Sequence, residues 1–314
     1  MGAVHQLLLK FGKEEAAKAD VDRRVIEAAA AYLASEESEI GFLYSGWAQA
    51  ALPHRRLPDD APWQVITNHV TLLVQPGMRP GKPPVSIGVP YGSRARLILL
   101  YLQSEALRTG RRDISLGRSL HAWLRRLGIP IGGRSMQDVR DQAERISRCR
   151  MSFDVMQGNR LGLANQTILD TAMFVKGDGD SQGDQFIETA TLSEVFFNQL
   201  KRHPVPIEES AIKQIANNSL ALDVYCWLAY RLHVLNAPTP ISWSALKEQF
   251  GQGFGRLDHF RKQFRHTLVM ALSVYPAASV DVHERGVTLN PSPAPVAPKT
   301  LRLATVSGRA PAKR

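Results

Sequence analysis

From Arg256 onward the sequence sets two kinds of side chain on one helical period. Leu257, Phe260, Phe264, Leu268 and Ala271 recur at steps of three or four and predict one apolar face. Between them fall Arg256, His259, Arg261, Lys262, Arg265 and His266, with Asp258 as the only acid among residues 256–266. Such a helix can bury one side and offer the other to phosphates and base edges, and the major groove of duplex DNA is wide enough to admit it. Taken alone, the cluster fits an ordinary solvated helix face equally well. Its surroundings have to decide.

Catalytic chemistry finds no comparable constellation. A phosphate-cradling loop needs Gly-x-x-x-x-Gly-Lys-Ser/Thr before a helix, and Gly77-Met78-Arg79-Pro80-Gly81-Lys82-Pro83 is one residue short and ends in proline. Asp178, Asp180 and Gly183 imitate the opening of a calcium loop, but its twelfth position is Thr189 rather than glutamate. The sequence has no His-x-His pair to ligate a nicking metal, and its two cysteines, Cys149 and Cys226, are not in a Cys-x-x-Cys pair. We therefore expect no catalysis, no cofactor and no metal. Trp123, Trp227 and Phe264 fall on apolar faces and are expected in the core rather than as stacking platforms.

The formal net charge of +10 suggests a polyanionic partner. Half of that excess, Lys299, Arg302, Arg309, Lys313 and Arg314, lies in a Pro- and Ala-rich tail that should be disordered. The placement of charge therefore counts for more than its sum. No apolar run approaches the roughly 20 residues of a membrane span, and the start Met1-Gly2-Ala3-Val4-His5 has no secretory layout. A cytoplasmic protein without a membrane partner is expected.

The elements that would carry the basic helix form a plan that occurs twice. A helix from Leu220 to Leu235 leads to a short strand at Ile241-Ser242-Trp243 and a helix from Ser244 to Phe250. A glycine turn follows at Gly251, Gly253 and Gly255, then the helix from Arg256 to about Val274, then two strands around Glu284-Arg285-Gly286. Earlier, Arg94 to Arg108 predicts a helix, Asp113 to Leu116 a strand, Ser119 to Leu127 a helix, and Arg134 to about Cys149 another after Gly128, Gly132 and Gly133. Two β-rich runs then surround Gln157-Gly158-Asn159-Arg160. Helix, strand, helix, turn, helix and hairpin is the order of a winged helix-turn-helix.

On the first helix Met136, Val139, Ala143 and Ile146 form the apolar face. There Arg134, Arg140, Arg145 and Arg148 are diluted by Asp138, Asp141 and Glu144, which points to a weaker or backbone-directed contact. Arg160 and Arg285 fall at the two hairpin tips, within reach of a phosphate or the minor groove. Gln64 to Gln75 predicts one strand, and Lys176 to Asp184 has only turn-forming composition. The chain thus reads as α+β, with two tandem winged-helix (helix-turn-helix) domains at 63–176 and 186–291 joined by a linker at 177–185. A helical N-terminal extension and linker occupy 1–62, and a disordered basic tail 292–314.

Four segments, taken together and in order, carry a family resemblance: Pro90-Tyr91-Gly92-Ser93-Arg94-Ala95-Arg96-Leu97-Ile98-Leu99, His203-Pro204-Val205-Pro206-Ile207, Leu222-Asp223-Val224-Tyr225-Cys226-Trp227-Leu228-Ala229-Tyr230-Arg231-Leu232 and Phe260-Arg261-Lys262-Gln263-Phe264. Over roughly 86–293 the chain resembles the plasmid-encoded RepA replication initiators of Proteobacteria. The resemblance implies binding to repeated double-stranded sites at the plasmid origin, local strand opening, and recruitment of the host replication initiator and replicative helicase. It also implies that the second domain reads the major groove, while the first contacts backbone and leaves room for a homodimer. A winged-helix transcriptional repressor without initiator activity is the alternative, and a nucleic-acid enzyme the more distant one.

Overall fold

A computed structural model describes residues 3–19, 21–35, 39–67, 70–130, 132–157, 160–176 and 185–296, with the side chains of 117–120, 155–157, 160–166, 173–176 and 185–188 outside the description. The chain is α+β.

It begins with two helices, α1 (Ala3–Ala16) and α2 (Arg23–Leu33). Asp22 caps α2 by accepting from the Arg24 amide, which satisfies one of the orphan donors of the first turn. Leu8 and Ala16 of α1 pack on Ile26 and Ala29 of α2, while Val25 and Ala28 face the main core. Strand β1 (Ile40–Tyr44) and helix α3 (Ser45–Gln49) follow, and Tyr44, Trp47 and Leu52 are buried. The residues expected as an extension are thus built into the core. Their apolar partners lie far along the chain, where no local pattern reveals them.

Next come β2 (Trp63–Ile66) and β3 (Val70–Gln75), a hairpin where the composition predicts one strand. Thr67 turns the chain there: its amide donates to the Val70 carbonyl, and its hydroxyl accepts from the Val70 amide. A small exposed hairpin, β4 (Met78–Arg79) and β5 (Val85–Ser86), leads to α4 (Gly92–Thr109), which stops at left-handed Gly110 (φ 68°). Then follow β6 (Asp113–Ser115), α5 (Gly117–Arg126), α6 (Gly133–Arg148), β7 (Arg150–Gln157), β8 (Arg160–Gln166), β9 (Leu169–Lys176) and β10 (Gln185–Leu192).

Pairing in this half departs from expectation. The hairpin β7–β8 after α6 joins the sheet β2-β3-β7-β8, and the strand beside β6 is β10, in the order β6-β10-β9. Of the expected linker, 177–185, residues 177–184 lie outside the described residues and Gln185 opens β10. That strand completes the sheet of the first half, with Gln185 opposite Lys176 and Ala190 opposite Ile114. A Gly- and Asp-rich composition suits a hairpin connection as well as a linker, so composition alone could not separate the two.

The second half contains α7 (Glu194–Arg202), β11 (Pro204–Glu208), α8 (Glu209–Ile215), α9 (Ser219–Arg231), β12 (Thr239–Ser242), α10 (Trp243–Phe250), α11 (Leu257–Ser273), β13 (Ser279–Val282) and β14 (Gly286–Asn290). Ser193, Asn218 and Ser242 cap α7, α9 and α10 through their side chains. Strand β11 pairs antiparallel with β1, from Ile40 opposite Glu208 to Tyr44 opposite Pro204. The last sheet runs β12-β14-β13, the same order as β6-β10-β9. Gly286 is required at the start of β14, because a Cβ there would stand 1.9 Å from the Ile241 carbonyl oxygen.

One apolar core runs through both halves. Leu220, Val224, Trp227 and Leu228 bury different faces of α9, and Leu97, Ile98 and Leu102 of α4 belong to the same cluster. Trp123 and Trp227 are buried in it, as their patterns predict. Among the described residues no helix is long and apolar enough to cross a membrane.

Candidate nucleic-acid interface

Helix α11 divides its faces much as the periodicity predicts. Phe260, Phe264, Leu268 and Ala271 are almost fully buried, and Phe264 meets Phe250 of α10 and Trp243 with ring centroids 5.6 and 6.1 Å apart. Burying side chains of that size contributes about 1.5–3 kcal/mol each. Leu257 departs from expectation and is 42% exposed. The whole first turn, Arg256 to His259, stands clear of the core and carries the positive end of the helix dipole into solvent. Further along, Lys262, Gln263 and Arg265 are exposed, while Arg261 and His266 are half-buried.

The basic side chains then part company. Lys262 and His259 lie one turn apart on the outward face. Arg256 is held by Asp258 in two hydrogen bonds of 3.0 and 2.8 Å, and that guanidinium pulls the Asp258 carboxyl down to about 2. Arg261 donates to the Glu284 carbonyl at 2.8 Å and Arg265 to the His283 carbonyl at 3.3 Å. Both guanidinium groups lie over the Trp243 ring, 5.5 and 5.4 Å from its centroid. His266 turns away from the expected cluster, with Nε2 3.4 Å from Asp22 Oδ2 at the cap of α2. Arg285 is exposed on the β13–β14 turn beside α11.

Gln263 joins this surface, although nothing in the charge pattern singles it out. It carries no charge, and a count of basic residues cannot find an amide, yet an exposed glutamine on such a helix can pair with two edge atoms of adenine.

The first half presents much less. Helix α6 buries Met136, Val139, Ala143 and Ile146 as predicted, and Arg134 is exposed at its first turn. Arg140 is half-buried near His121, whose pKa is lowered by burial and by that arginine. Arg145 is buried: it ion-pairs with Asp141 at 2.9 Å and Asp59 at 3.6 Å, donates to the Val89 carbonyl at 3.4 Å, and lies over the Tyr91 ring. Arg148 pairs with Glu144 at 3.2 Å, and Glu144 also holds Arg79 of the β4–β5 hairpin, which sits against this end of α6. Arg145 and Arg148 are therefore engaged by partners within the fold. Two of the acids that dilute the helix, Asp141 and Glu144, are their partners. The Arg160 side chain lies outside the described residues.

Replacing Arg145 with alanine should cost about 1–3 kcal/mol of stability, since it removes a buried charged donor and its packing. If the α11 face binds DNA, affinity per folded molecule should stay unchanged. Urea melts and a binding isotherm on the same preparation check both halves of this expectation, and a large loss of affinity in fully folded protein would contradict the assignment.

Among the described residues no three His, Cys, Asp or Glu side chains are grouped to hold a metal ion. In solved structures the fold resembles domains 2 and 3 of RctB, with a TM-score of 0.52 at 12% identity, covering 79% of this chain and 98% of that one. A second structure of RctB domains 2–3 gives a TM-score of 0.46 at 11% identity, covering 77% of this chain and 94% of that one. No curated protein sequence matches the chain. The family model described as "Plasmid encoded RepA protein" matches residues 89–245, half of the 314 residues, from just before α4 into α10. Helix α11 lies beyond the matched stretch.

Proposed function

The chain belongs to the plasmid-encoded RepA protein family, and from that premise we propose that it is a replication initiator of the bacterial cytoplasm that binds repeated duplex sites at its plasmid's origin. Binding there would promote strand opening and recruit the host initiator and helicase. In this reading each half is a winged-helix unit, with α5–α6 and α10–α11 as the helix pairs. The hairpins β9–β10 and β13–β14 are the wings. The repeated sheet orders β6-β10-β9 and β12-β14-β13 support it.

The observation that carries the proposal is the outward face of α11, where His259, Lys262 and Gln263 stand exposed beside a turn bearing Arg285. A helix with its core face sealed and a polar, basic outer face can lie in the major groove, while the adjacent turn reaches the sugar-phosphate backbone. The first half, with Arg145 and Arg148 engaged internally, adds backbone contacts through Arg134 and Arg140 at most, and we assign sequence reading to the second.

Footprinting on the origin region of the encoding replicon tests this directly. Regularly spaced protected repeats are expected, and their absence at low salt would overturn the proposal. Lys262→Ala should weaken binding and reduce the slope of log affinity against log salt by about one if Lys262 meets a phosphate. Gln263→Ala should instead relax preference at one base position, at a cost of about 1–3 kcal/mol in discrimination.

A further inference from the structure

We propose that Arg261 and Arg265 are positioning residues: they hold the β13–β14 turn against α11 so that Arg285 is presented to the DNA backbone. The inference rests on the DNA-binding reading above and changes what two of its most basic residues do. Their side chains point sideways along α11, not out from it. Three consecutive carbonyls of the turn are taken up by α10 and α11. The His283 carbonyl accepts from Trp243 Nε1 at 3.2 Å and from Arg265, the Glu284 carbonyl accepts from Arg261, and the Arg285 carbonyl accepts from the Trp243 amide at 3.2 Å.

With those carbonyls facing the protein, their negative ends are turned away from any phosphate and the Arg285 side chain is left exposed. Across the turn, His283 N–H donates to the Gly286 carbonyl at 2.8 Å. A turn of this kind, bearing an acidic Glu284 as well as Arg285, would sample many orientations without an anchor. The planar guanidinium groups suit the anchoring task, because each can donate to a carbonyl while lying on the face of Trp243. Lys262 and Gln263, exposed and without such ties among the described residues, remain for the DNA.

The test uses the full-length protein with Arg261→Met and Arg265→Met together, which keep apolar stems over Trp243 and remove the donors. In the absence of DNA, exchange of the His283 amide, which donates to the Gly286 carbonyl, should accelerate by about tenfold or more relative to wild type, with α11 unchanged. Unchanged exchange overturns the proposal.

With duplex origin DNA, Arg285→Ala should lower the salt slope by about one in the wild-type background and by nothing in the double-methionine background. An Arg285→Ala effect of equal size in both backgrounds, or none in wild type, overturns the proposal. If wild-type protein binds no duplex while the exchange effect persists, the anchoring stands and the DNA-binding reading fails. Should the double variant not fold, Arg265→Met alone serves, since Arg265 is exposed and its loss touches only the His283 carbonyl and the face of Trp243.

Discussion

Asp223→Ala should cost the folded protein about 3–5 kcal/mol, seen as a large drop in the denaturant midpoint with little change in slope. Arg96 on α4 grips Asp223 on α9 with two hydrogen bonds, Nε to Oδ1 at 2.7 Å and Nη2 to Oδ2 at 2.6 Å. Both side chains are only about a tenth exposed. The same guanidinium donates to the carbonyls of Leu52, Pro53 and Gly92, so one charge ties together α4, α9 and the segment before β2.

Removing the carboxylate leaves Arg96 charged, buried and short of its counter-ion. Replacing both partners by apolar residues of similar size, as in Arg96→Met with Asp223→Leu, should recover part of the loss, because an apolar pair needs no desolvation offset while the Leu52 carbonyl loses its donor. If the single variant melts like wild type, the ion pair is not what joins the halves at this point.

The second large effect is a dependence of stability on pH through His54, which sits in the same cluster. Its Nδ1 lies 3.0 Å from Ser219 Oγ and 3.4 Å from Arg96 Nη2, and Arg96 can only donate, so Nδ1 is an acceptor. Burial first, and then the Arg96 charge, pushes its pKa down from 6.5 to about 4, against a smaller upward pull from Asp223. The 3.9 Å approach of His54 to Asp223 is therefore the contact of a neutral imidazole at neutral pH, not an ion pair.

Between pH 6.5 and 4 the unfolded chain takes up a proton at this position that the folded chain refuses. The stabilisation is complete above about pH 6.5 and is lost as pH falls toward 4, to the extent of about 3 kcal/mol. Denaturation of wild type and His54→Gln across that range isolates the effect, since carboxylate contributions are common to both. Parallel curves would show that His54 titrates normally.

Much of α11 is legible along the chain itself. Its alternation of Phe260 and Phe264 with Lys262 and His259 is a property of 11 neighbouring residues, and a 3.6-residue period decides which face is buried wherever the helix docks. The same holds for α10, capped by Ser242, and for the glycine at 286 that lets β14 approach β12. Exposure alone, however, does not tell Lys262 from Arg265: both are outward on a helical wheel, and only the second is tied to a carbonyl 18 residues away.

The order of elements from α9 to β14, the apolar faces of α6 and α11, and the family to which the segments around Arg96 and Asp223 belong all follow from the amino-acid sequence, since each rests on neighbours along the chain. Tertiary structure alone decided that β6 pairs with β10 and not with the nearer β8. It also decided that residues 40–52 help complete the core, and that Arg145 and His266 spend their charge or polarity on Asp59 and Asp22. Strand pairing and charge satisfaction join residues tens to hundreds of positions apart. The free energy of such a pairing depends on which groups the fold brings within a few ångströms, which local periodicity does not encode.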